Sequence, residues 1–382
     1  MSLLFIMILA VISALACLPA HAKTALEFLQ EGAKPRFREG HTLPPLTRWG
    51  WVMPFEVQVE LAERWGYCLE FGGYATPELV KKLDDPNSLQ AKVCALTAAN
   101  PKRYPLSVLT VHYFKEVPDA ACTRDAQGNL PDGKRIWSPE APDDIFREAA
   151  AAWAEPVKKI RERVPIAIVL SGGEYALSVY GHHGKYWSQD PKVLAAKGER
   201  DWYGYISESK ARQERFISEA MRAAVPDRQL YLYYYTEACP HRDRYGGWWT
   251  WAWDYKWMRP ISDIPNTSIY FAHFNSGWTG NNDMLTQALN SVTQHLQFGD
   301  ALSYNWLNAG WTREKLGDAA FGDLTRYTGY LKCFYTAGMI GGVAGYFAFP
   351  KGGFGGDQGE QAPHWLGQMM ALGHVHALFS HL

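Results

Sequence analysis

Glu174 and Glu237 are the residues whose type and surroundings best suit them to acid/base chemistry. Glu174 follows the apolar run Ile166–Leu170 through Ser171-Gly172-Gly173, and Glu237 follows the run Gln229–Tyr235 through Thr236. Each stands just beyond the end of a predicted strand. Two carboxyl groups at neighbouring strand ends can cleave a glycosidic bond, one protonating the leaving oxygen while the other attacks or activates water. The spacing admits a retaining or an inverting outcome. The competing reading of each is a surface or salt-bridged glutamate. Glu70, on the second predicted strand, is a third candidate, though it reads first as the partner of an arginine inside the barrel.

Polar and aromatic residues cluster where a sugar would lie. His112, His273, Asn275 and Asn305 close three further predicted strands and can hydrogen-bond hydroxyls or tune a carboxyl. Trp187, Trp248, Trp249, Trp251, Trp278 and Trp306 fall in or beside the loops above those strands, where exposed rings would stack on the C–H faces of sugars. Any single one of these residues reads equally as ordinary packing; their convergence carries the expectation. Metal chemistry is not expected: His112, Glu174, Glu237 and His273 match no local zinc spacing, and no HExxH helix is present. His182-His183 reads as exposed loop. Gly352-Gly353-Phe354-Gly355-Gly356 lacks the Lys-Ser/Thr of a phosphate loop and reads as a flexible lid.

The elements that must position these residues alternate. Predicted strands run Arg48–Phe55, Tyr67–Phe71, Leu106–Tyr113, Ile166–Leu170, Gln229–Tyr235, Ser268–Phe274, Ala301–Trp306 and Gly342–Phe349, with helical periodicity between them and a last helix from Pro363 to Leu382. Eight such units predict an α/β fold of the (β/α)8 TIM barrel type, whose active sites lie at the C-terminal ends of the strands. Loop lengths agree. The segments after strands 3, 4, 5 and 8 are long and rich in Gly, Trp and His, whereas those leading into strands 4, 5, 6 and 8 are short, the asymmetry of a cleft-building enzyme.

The chain has 382 residues with 38 basic against 39 acidic side chains, which argues against a nucleic-acid partner, and it carries 16 Trp and 21 Tyr. Residues 1–22 read as a signal peptide: an apolar run from Leu3 to Leu18, then Ala20-His21-Ala22, with Lys23 as the mature start. Cys17 after Leu15-Ala16 keeps a lipoprotein anchor as the alternative, and no later stretch reaches bilayer length. Residues 23–382 then form the barrel, and the lack of a polar tail suggests a domain downstream. Export permits disulfides. Cys68, Cys94 and Cys333 fall in predicted elements and read as buried thiols, which leaves Cys122 and Cys239, both in loops on one face, as the expected bridge.

With these motifs the chain resembles the secreted TIM-barrel glycoside hydrolases, Ser171-Gly172-Gly173-Glu174-Tyr175 closing strand 4 and Tyr234-Tyr235-Thr236-Glu237 closing strand 5. The likeness covers most of the mature chain in architecture and rests on short motifs. In the largest clan of such enzymes the acid/base follows strand 4 as Asn-Glu and a nucleophilic glutamate follows strand 7. Here Gly173-Glu174 takes the first place, and Asn305-Trp306-Leu307-Asn308, without a carboxylate, takes the second. Amylase-like barrels put a nucleophile after strand 4 and an acid after strand 5, matching Glu174 and Glu237 in position but with Glu where Asp is usual. The resemblance implies a cofactor-free enzyme acting on a polysaccharide or oligosaccharide, with Glu174 as acid/base and Glu237 as its partner. A non-catalytic carbohydrate-binding barrel and a metal-dependent hydrolase or lyase are the alternatives.

Overall fold

The computed structural model describes residues 24–48, 53–111, 117–172, 182–235, 255–264, 266–269, 303–309, 332, 336, 339, 343–350 and 362–382. Within them lies an α/β fold built on eight parallel strands: β1 Thr47–Arg48, β2 Leu69–Tyr74, β3 Leu106–Val111, β4 Ile168–Gly172, β5 Leu230–Tyr235, β6 Asn266–Ile269, β7 Ser303–Ala309 and β8 Val343–Pro350. Each pairs with its neighbour in sequence from β2 to β8, and β8 pairs with β1 through Thr47 and Phe347. Beside β1 and β2 a parallel bridge joins Leu46 to Tyr67, with the Cys68 N–H donating to the Leu46 carbonyl at 2.8 Å.

The central strands are apolar on both faces because both are covered. Leu106, Val108, Ile168, Val169, Tyr231 and Leu232 are all buried, giving the continuous hydrophobic runs expected of parallel strands. The helix Asp143–Arg161 covers them with Phe146, Ala150, Ala154, Val157 and Ile160, spaced three and four apart. Its first turn holds Asp143 and Asp144 and its last holds Lys158, Lys159 and Arg161, a charge order that complements the helix dipole. A second core gathers the helices Ala25–Glu31, Phe55–Trp65 and Ala362–Phe379 around Leu29, Leu61, Trp65, Leu366 and Leu372. Gly66 ends the helix Phe55–Trp65 at φ +80°, where a side chain is strained, and an added Cβ would come within 2.6 Å of the Phe37 ring. Among the described residues no helix is long and apolar enough to cross a membrane.

Several boundaries differ from those expected. The first strand is described as Thr47–Arg48, and Phe55, expected to end it, instead opens a helix capped by Pro54. The fourth begins two residues late: Ala167 still donates to Leu106 O outside the ladder. The last helix stops at Phe379, where the Ser380 hydroxyl donates to Ala377 O at 2.6 Å and accepts the Arg38 N–H at 2.8 Å.

That helix is docked through His376, which is 1% exposed and, with its Nε2–H, donates to Pro44 O at 2.9 Å. Burial lowers His376 from 6.5 to about 4, the Pro44 hydrogen bond opposing and His41 adding to the change. The unfolded chain therefore takes up a proton that the folded chain refuses. Stability is complete above pH 6.5 and is lost as pH falls to about 4, by about 3 kcal/mol. Urea unfolding at pH 7 and pH 4 is expected to show that loss in the wild type and a smaller one in His376→Gln. Equal losses would assign acid sensitivity to other groups.

Candidate functional site

β3, β4 and β5 run side by side in register: Val111 pairs with Gly172, and Ser171 with Tyr233. Glu174 follows Gly172 by two residues and Glu237 follows Tyr235 by two. Both glutamates lie outside the described residues, as do His112, Trp248, Trp249, Trp251, His273, Asn275 and Trp278. Asn305 and Trp306 were expected to close the seventh strand. Instead β7 runs on to Ala309, which pairs with Pro350, so both sit mid-strand, Asn305 opposite Tyr346 and Trp306 opposite Phe347.

Trp187 is a correction. It is 4% exposed, packs with Tyr186, Val193, Tyr205 and Ile206, and its indole N–H donates to Trp137 O at 2.8 Å. A ring so enclosed offers no face to a sugar; it fastens the segment after β4 to the segment after β3. Trp187→Phe is expected to lower stability by about 1–2 kcal/mol through the lost hydrogen bond while leaving glycan affinity unchanged. Weaker glycan binding at unchanged stability would restore the platform reading. Cys122 is a second correction: it is a free, buried thiol whose Sγ donates to Pro118 O at 3.4 Å, not half of a bridge to Cys239, which lies outside the described residues. Cys68 and Cys94 are buried free thiols, as expected of their elements.

The described residues hold a buried ion pair and a second couple of buried charges. On β2, Glu70 faces Arg48 of β1, with Nη1 and Oε2 3.3 Å apart and both side chains all but sealed from solvent. The Arg48 N–H also donates to Glu70 Oε1 at 3.1 Å, and the Glu70 N–H donates to Gln58 Oε1 at 2.9 Å. Burial raises the Glu70 carboxyl above its ordinary range, opposed by Arg48 and by that backbone bond. Arginine pairing inside the sheet was the expectation for Glu70. Lys210 and Glu214, one turn apart on the helix Trp202–Ala224, are both buried, at 1% and 0% exposure, and feel each other's charge. Burial lowers Lys210 to about 8, with Glu214 pulling it back. Next to them, buried Tyr231 of β5 interacts with Ser171 at the end of β4 and feels the Glu214 charge. Sequence reading overlooked this group, since Ser-Glu-Ser-Lys-Ala-Arg-Gln-Glu-Arg looks like a solvated face. The usable signal is that Lys210 falls on the stripe Ile206, Lys210, Gln213, Ile217, Met221, all buried.

Among the described residues no group of three or more His, Cys, Asp or Glu could hold a metal ion. No protein-family model matches the chain, and no curated protein matches its sequence. Among solved structures it is similar to an exo-beta-1,4-mannosidase from Opitutaceae bacterium strain TAV5, at 15% identity and TM-score 0.44 over 82% of this chain and 53% of that one. It is also similar to a fungal beta-1,4-galactanase, at 12% identity and TM-score 0.43 over 77% and 80% of the two chains. A glycoside hydrolase family 5 enzyme from Prevotella bryantii B14 is similar at 9% identity and TM-score 0.43 over 93% and 99%. At such identities and scores the functional reading has to come from this chain's own residues.

Proposed function

We propose that the eight strands close into a (β/α)8 barrel and that the protein is a glycoside hydrolase of a polysaccharide or oligosaccharide, working through Glu174 and Glu237. The observation that carries this reading is the direct parallel pairing of β4 with β5, Ser171 opposite Tyr233, with one glutamate two residues beyond the last described residue of each. Paired strands lie about 4.8 Å apart, and two residues of chain reach at most about 7 Å. Carboxyl separations of about 5–10 Å, the range used by retaining and inverting enzymes, are within that reach. Glu174 acts as acid/base, donating its proton to the leaving oxygen; Glu237 attacks the anomeric carbon or takes the proton of an incoming water. Closure of the barrel is supported by the β1–β8 ladder together with the Leu46–Tyr67 bridge. Residues 1–22 direct the chain to the secretory route, and the mature protein acts outside the cytoplasm or in a periplasm.

The test is reducing-sugar release by the mature protein from plant, algal and microbial polysaccharides, with and without a chelator. Release that survives chelation supports the carboxylate pair. Release abolished by chelation would transfer the chemistry to a metal, and binding without release would make the protein a non-catalytic carbohydrate-binding barrel.

A further inference from the structure

A second candidate binding place lies at the opposite end of the strands. A half-open cavity of about 600 Å³ sits between the segment Phe37–Pro45 and the strand entries at Tyr67, Pro105, Ala167 and Gln229. Its volume falls within the roughly 300–1,000 Å³ of small-molecule sites. Its wall combines apolar surface, chiefly Phe37, Leu43 and prolines, with a few convergent polar groups. His376 and His41 both line it, their rings 6.3 Å apart and edge to face.

The polar atoms decide what it can hold. His376 Nε2–H is committed to Pro44 O, so in that tautomer Nδ1 is a bare acceptor, and it has no partner although the residue is 1% exposed. His41 Nδ1 is likewise shielded and without a partner. A buried acceptor left unpaired is costly, and what satisfies it is a donor, such as a hydroxyl. An anion fits less well: Arg103 is already paired with Glu63 at 2.9 Å, Lys102 stands exposed at the rim, and the deep Nδ1 of His376 presents a lone pair. Phe37 and the prolines supply the apolar surface on which the C–H face of a pyranose rests.

We propose that this cavity is a second carbohydrate site that takes a neutral sugar unit, its hydroxyls donating to the imidazoles of His41 and His376 as the half-exposed His41 ring turns aside. The choice of a sugar among hydroxylated ligands rests on the carbohydrate reading above. The site lies at the strand entries, whereas Glu174 and Glu237 follow β4 and β5 in the chain, and it has no part in cleavage; it would hold a neighbouring stretch of glycan on the enzyme.

Full-length protein carrying Glu174→Gln and Glu237→Gln, labelled with ¹⁵N-histidine, tests this by titration with glucose, galactose, mannose, xylose and their short oligomers. The His41 ring resonances are expected to shift to saturation with at least one of them. His41→Leu and Phe37→Leu should each weaken that binding at least tenfold and leave turnover of a soluble substrate unchanged when placed in the otherwise unaltered enzyme. Saccharide binding that moves neither histidine and survives both substitutions would overturn the proposal and leave the catalytic reading intact. So would reducing-sugar release with no binding at this cavity. Shifts produced by inorganic phosphate alone would overturn the ligand class. Absence of both binding and release would instead remove the carbohydrate reading itself.

Discussion

Glu174→Gln and Glu237→Gln are each expected to cut reducing-sugar release by about 10²–10⁴-fold, the usual contribution of a positioned proton donor or acceptor. Glutamine keeps the size and hydrogen-bonding capacity of glutamate but neither donates a carboxyl proton nor bears a nucleophilic charge. The two variants should differ in a way that assigns roles. If Glu174 is the acid, Glu174→Gln retains more activity on substrates with activated leaving groups, such as aryl glycosides, because those leave without protonation. Azide or formate should restore turnover to whichever variant has lost the nucleophile or base. Unchanged thermal melting in both variants separates a chemical loss from a structural one. If either substitution leaves release within a few-fold of wild type, that glutamate is a surface residue and the proposed pair is wrong.

The strand order was legible because a parallel strand covered on both faces must be apolar along its length, and runs such as Leu106-Ser107-Val108-Leu109 and Ile168-Val169-Leu170 announce themselves. Helices with a strong stripe, such as the one built on Phe146, Ala150, Ala154 and Val157, were equally plain. Ends were less so. Asn305 and Trp306 looked terminal because the run Ala301–Trp306 was taken as the whole strand, yet β8 pairs with β7 as far as Ala309. Tertiary pairing, which no local window contains, extended the strand. Trp187 misled for a related reason: tryptophan in a long loop looks like a platform, but its burial depends on Trp137, fifty residues away. The lysine and glutamate at 210 and 214 were hidden by their chemistry, since charged side chains are seldom buried unless paired. The candidate site was legible only as chain positions: the strand ends fix where Glu174 and Glu237 must begin, and side-chain convergence is not contained in a sequence.

Glu70→Gln is expected to destabilise the protein by about 3–5 kcal/mol in alkali, where Glu70 is ionised, and by less in acid, where burial keeps it protonated, because removing one member of a buried charged pair strands the other. Glutamine can still accept the Arg48 N–H through Oε1, so the backbone bond at 3.1 Å is kept and only the charge is lost. Arg48, 2% exposed, then has to remain a cation without the carboxylate 3.3 Å away. The reverse substitution, Arg48→Met, should cost less in acid than in alkali, because Glu70 can become neutral whereas arginine cannot. Burial already raises the Glu70 carboxyl, and removal of Arg48 takes away the strongest opposing influence. A carboxyl whose folded value exceeds its unfolded one holds its proton longer when folded. Its contribution is therefore complete below the ordinary carboxylate range and is lost as pH rises through the raised value. The double variant Glu70→Leu, Arg48→Met replaces both charges with apolar volume and should recover most of the stability lost in Glu70→Gln. Urea unfolding of the four proteins at pH 5 and pH 8 measures all of this. A loss under 1 kcal/mol in Glu70→Gln at pH 8, or additive losses in the double variant, would show that water rather than Glu70 compensates Arg48.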